Sequence, residues 1–81
     1  MKADPLIDIV IDTILFLEVS ESDVVQPDVA VAMLEQIAAA LQRFRPEDRE
    51  RLVNYIPVRV RNAKSDEERR ALQSLTMNMG L

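Results

Sequence analysis

The chain has 81 residues, 48% of them hydrophobic, with one glycine, no cysteine, no histidine and a net charge of −4. Such a length makes one small domain, 1–81, and its Leu, Ile and Val content offsets the ordering entropy that keeps polar chains disordered. Without Cys there is no disulfide framework, thiolate metal site or Cys nucleophile, and without His the commonest general acid–base and metal ligand are missing.

The first element is "DPLIDIVIDTILFLEV", residues 4 to 19. Asp4 is placed as an N-cap and Pro5 at the first helical position, the favoured pairing. A strand of that length would be unusual, so the β-branched content does not overturn the helix. The helix is apolar almost all round. Leu6, Ile7, Val10, Ile14 and Leu17 form one stripe, expected to pack on the second helix. Asp4, Asp8, Ile11, Asp12, Leu15, Glu18 and Val19 form the opposite stripe, with Ile9 and Phe16 at its margin.

That second stripe has two readings. Either the other helices wrap far enough to bury Ile11, Leu15 and Val19, leaving the acids as a solvated rim, or the stripe is an interface. An apolar centre rimmed by charge has the layout of a binding patch. On the interface reading Asp8, Asp12 and Glu18 steer a partner, Ile11, Leu15 and Val19 are its anchors, and Leu15→Asp abolishes binding without loss of helicity.

After "SESDVVQP", Pro27 opens a second helix to about Phe44. Ala30, Met33, Leu34, Ile37, Leu41 and Phe44 share one face, while Asp28, Glu35, Gln42 and Arg43 share the other. The third restarts at Pro46, with Glu47, Asp48 and Glu50 where the helix dipole favours acids and with Leu52, Val53, Ile56, Val60 and Ala63 along one face. Pro57 is the misfit: it predicts a kink near 53–57 or two short helices. "VRVR" at 58–61 also allows a short strand. The last helix begins at a capping box, Ser65 to Glu68, turns Ala71, Leu72, Leu75 and Met79 inward, and stops at Gly80. The predicted fold is all-α: a small up-and-down bundle of three to four short helices, the third kinked or broken near Pro57.

Charge is unevenly spread. Residues 1–40 carry −7 and residues 41–81 carry +3. An acidic half with apolar side chains inside it suits a basic protein partner. The arginines (43, 45, 49, 51, 59, 61, 69, 70) are interleaved with acids and have few aromatics beside them, which argues for a solvated mixed-charge face and against nucleic acid. The four Met residues read as gap-fillers, with Met77 and Met79 also suited to a groove. Asp8 and Asp12, at i, i+4, lack the further ligands that a divalent cation needs. With no phosphate loop, nucleophile elbow or EF-hand spacing, no cofactor, metal or catalysis is expected. The start "MKADPLIDIVID" has no signal-like apolar core. The longest uncharged apolar run, Ile14 to Leu17, is far short of the ~20 residues that span a bilayer, so a soluble cytoplasmic protein is expected.

Residues 16 to 52, "FLEVSESDVVQPDVAVAMLEQIAAALQRFRPEDRERL", pair an acidic linker and Pro-Asp helix start with "LEQIAAAL" and a "PEDR" helix start. The stretch resembles small acidic all-α bacterial immunity proteins of the polymorphic-toxin type. Where that type usually has Ser or Thr before "PE", this chain has Arg45, which forfeits the side-chain cap. The resemblance implies a protein that occludes a cognate toxin. It carries over no site residues, because such surfaces are tailored to one toxin. The alternative is a homodimeric helical adaptor or regulatory protein in which the first helix packs on its own copy.

Overall fold

A computed structural model describes residues 4–19 and 24–81. Four helices follow one another: α1 (Pro5–Val19), α2 (Pro27–Gln42), α3 (Pro46–Arg61) and α4 (Asp66–Asn78). No strand occurs among the described residues, and "VRVR" is helical. The break before Pro27 falls partly outside the described residues, at 20–23.

Each start follows from local chemistry. Asp4 Oδ1 accepts from the Ile7 amide at 3.3 Å. Gln26 and Arg45 precede prolines, and both take the extended backbone that a following Pro imposes. Neither caps with its side chain. Proline at N1 needs no partner for an N–H it lacks, so these starts survive without a cap. Ser65 Oγ caps α4 by accepting from the Glu68 amide at 3.0 Å. The returning bond of the box goes one residue early, because Glu68 Oε2 accepts from the Lys64 amide at 3.3 Å.

The ends are equally specific. The Leu81 amide bonds to the Thr76 carbonyl at 2.9 Å and the Gly80 amide to Met77 at 3.2 Å, the paired bonds of a Schellman stop. Gly80 sits at φ +70°, the left-handed region in which a Cβ is strained. Gln42 Nε2 reinforces this stop from α2, donating to the Met79 and Gly80 carbonyls at 3.0 and 2.9 Å.

Pro57 does not divide α3, which runs unbroken from Pro46 to Arg61. Pro57 lies on the exposed side of the helix, so its ring displaces no core side chain.

The helices do not form a simple square. α1 occupies the middle and packs on α2, α3 and α4, while α3 and α4 also pack on each other. Ile7, Ile11, Ile14 and Leu15 of α1 meet Leu41, Leu52, Ile56, Leu72, Leu75 and Met79 in one core. Each buried side chain of this size contributes about 1.5–3 kcal/mol gross. A helix enclosed on three sides needs apolar residues over most of its circumference, which accounts for the composition of α1.

Candidate functional site

The six residues read from the sequence as a partner-binding stripe do not remain together on a free surface. Ile11 and Leu15 are core residues, 0% and 6% exposed, and so cannot anchor a partner. Asp8 and Asp12 face α3. Arg59 Nη1 donates to Asp8 Oδ1 at 3.1 Å, and Nη2 donates to Asp12 Oδ1 at 2.6 Å. Tyr55 Oη adds a bond to Asp8 Oδ2 at 3.3 Å. One turn earlier, Arg51 Nη2 reaches Asp4 Oδ2 at 2.8 Å. The arginines of α3 thus compensate Asp4, Asp8 and Asp12 of α1, and this lets α3 pack along α1 without stranding a carboxylate. Of the stripe, Asp12 and Glu18 stay exposed, Asp12 while paired with Arg59, and Asp8 and Val19 are half-buried.

The electrostatics follow the geometry. The hydrogen bond from Arg51 holds the Asp4 carboxyl below the usual aspartate range, against the opposing effect of desolvation. Asp4 in turn raises the Arg51 guanidinium. For Arg59, burial works against the charge. Asp12 and Asp8 together outweigh it and leave its pKa raised. No group of three or more carboxylates among the described residues could hold a metal ion.

Leu6 is a second departure from the sequence reading. Expected in the α1–α2 seam, it is 70% exposed. It begins a different stripe, Leu6, Ile9, Thr13 and Phe16, at three- and four-residue spacing and without a charge. Ile9 is 62% and Phe16 52% exposed. Thr13 directs its hydroxyl to the Ile9 carbonyl at 2.8 Å, so the stripe's one polar group is satisfied within the helix. On α2 the exposed Val29 and Met33 share a helix face with Ile37 and Ala40, and Phe44, just past the end of α2, continues it, again uncharged. Ile9, Val10, Thr13, Ile37, Ala40, Leu41 and Phe44 line an apolar groove between the two helices, and Leu6 extends it toward Asp48 and Arg51. Acid-free spacing alone does not single this line out in the sequence, because the neighbouring line Ile7, Val10, Ile14 and Leu17 is also uncharged.

On the other flank of α2 lies a hollow of about 280 Å³ between α1, α2 and the end of α4. Val31, Leu34, Ala38 and Met79 make it apolar, and Glu18 and Glu35 line it with carboxylates. A neighbouring hollow shares Glu18, Val31 and Leu34 and adds Leu17, Val25 and Ala30. Among the described residues, Glu18 and Glu35 take part in no ion pair. An apolar floor with two uncompensated carboxylates suits a lysine- or arginine-bearing apolar segment.

No family model, curated protein or solved structure matches the chain. Among the described residues no helix is long and apolar enough to cross a membrane.

Proposed function

We propose that this chain is a non-enzymatic protein-binding module that occludes a basic partner protein, in the manner of the immunity proteins its sequence resembles. The observation that carries the reading is the pair Glu18 and Glu35, outside any described ion pair, on the apolar hollow between α2 and the end of α4. The acidic half of the chain supplies long-range attraction. Asp4, Asp8 and Asp12 are compensated from α3, so the uncompensated charge of the described part of that half lies on Glu18, Asp28 and Glu35. Carboxylates of this kind raise the association rate, and the apolar floor then sets how long the complex lasts. A partner held there by its own cationic residues has its basic surface covered, and that coverage is the neutralising act.

Charge reversal tests the reading. The tagged protein and its Glu18→Lys/Glu35→Lys variant are compared in capture from the source organism's lysate at low and high salt. The expected result is one stoichiometric basic protein on the wild type and its loss from the variant, whose helicity is unchanged. Co-expression of the captured protein should then arrest growth unless the wild-type chain is present. Equal recovery by both proteins, or a captured protein whose expression is harmless, would overturn the proposal.

A further inference from the structure

We infer that the uncharged face shared by α1 and α2 docks a second copy of this chain, with α2 running antiparallel to its counterpart across a two-fold axis near Gln36. This inference does not rest on the basic-partner reading, because the carboxylate-lined hollow lies on the opposite flank of α2.

Three observations select this occupant. The first is chemistry. Leu6, Ile9, Thr13 and Phe16 with Val29, Met33, Ile37, Ala40 and Phe44 present no charge over some four helical turns. A face with no charge is complementary to itself, and nothing in it selects a charged partner. The second is register. Around a centre between residues 36 and 37, Met33 is seated against the partner's Ala40 and Val29 against the partner's Phe44. A large side chain therefore meets a small one near the axis, as interdigitated packing needs. Gln36, exposed and uncharged, falls at the axis itself.

The third is charge at the rim. The described acids of α2, Asp28 and Glu35, lie in its first three turns, and its C-terminal end carries Arg43 followed by Arg45. Arg43 makes no ion pair among the described residues. Arg45 is paired with Glu47 and Asp48 of its own chain, so Arg43 is the cation on offer; antiparallel docking lays the Asp28 end of each α2 over the Arg43 end of the other, whereas a parallel docking would oppose like charges. Asp8 and Asp12, which would repel across a two-fold axis, are turned toward Arg59 instead. In size, three to four turns of two adjacent helices make a face of about 20 by 20 Å. Two such faces bury roughly 800 Å², below the ~1,200 Å² of stable specific interfaces, which places the dimer in the weak, transient class.

Sedimentation equilibrium across the micromolar range, on the full chain, is the test. The wild type is expected to shift from monomer to dimer with concentration. Met33→Glu and Ala40→Glu, both at the chain surface or its margin, should weaken association at least tenfold with unchanged helical circular dichroism. Asp28→Arg and Arg43→Asp should each weaken it, and the two together should restore it. The chain has no cysteine, so a single introduced thiol is a clean reporter: a short bis-maleimide should link Gln36→Cys to its own copy and leave Glu50→Cys monomeric. That reporter decides the matter even if Met33→Glu fails to fold. A chain that stays monomeric throughout, or a dimer indifferent to Met33 and Ala40 and not linked at residue 36, would overturn the inference.

Discussion

Arg59 Nη2 lies 2.6 Å from Asp12 Oδ1 across the seam between α3 and α1. The same guanidinium holds Asp8, so two carboxylates one helical turn apart share one cation. Without it they would repel along the helix face. The Arg59 side chain is only 17% exposed, between the regimes in which ion pairs are negligible and decisive. Arg59→Ala is expected to cost about 1–3 kcal/mol in urea unfolding. Adding Asp8→Asn should recover part of that loss, since it removes one of the stranded charges. Two costs that simply added would show that the bridge is not coupled.

Leu15 gives a sharper test of where α1 faces. Leu15→Asp would place an unpaired carboxylate in the core, and loss of helical circular dichroism at neutral pH is expected. Ile11→Ala should fold but lose about 2–5 kcal/mol. A helical Leu15→Asp protein would mean that this side of α1 is free after all.

Asp4 should confer a pH dependence. Its native pKa is depressed by Arg51, so its contribution is complete above the ordinary aspartate range and disappears as pH falls through the depressed native value. Asp4→Asn keeps an oxygen to cap the Ile7 amide while cancelling the charge. The wild type should therefore have the higher urea midpoint at neutral pH, and the gap should close in acid. A gap of constant size down to acid pH would assign the effect to capping instead.

Gly80 and Gln42 should behave as a unit. A Cβ on Gly80 would strain the left-handed backbone and would also lie 3.2 Å from Gln42 Nε2. Gly80→Ala is expected to cost about 1 kcal/mol or more. The Gln42→Ala cost should be smaller in that background than in the wild type, because the amide has already been displaced. Thermal melts of the two single variants and the double variant measure this coupling.

Much of the helical architecture was legible because its signals are local. Proline at N1 needs only its own backbone, as at Pro27 and Pro46, and the Ser65 cap and the Gly80 stop each act within a few residues. Pro57 leaves a kink and a break equally open in the sequence, because its cost depends on surroundings; with Pro57 on the exposed side α3 runs through it without dividing.

What the sequence determined by itself was three to four helices, their start signals, and a first helix too apolar for a surface position. Only the tertiary structure decided which side of that helix meets water. A helical wheel places Asp8 and Asp12 outside because carboxylates favour solvent, and it takes no account of an arginine 47 residues later in the chain. Arg59 provides that long-range partner, holding the half-buried Asp8 and the exposed Asp12 along the edge of α3, with Ile11 and Leu15 in the core and Leu6 and Ile9 outward. Periodicity records how far apart side chains lie around one helix; which of those directions is buried depends on where the other helices carry their complementary charge.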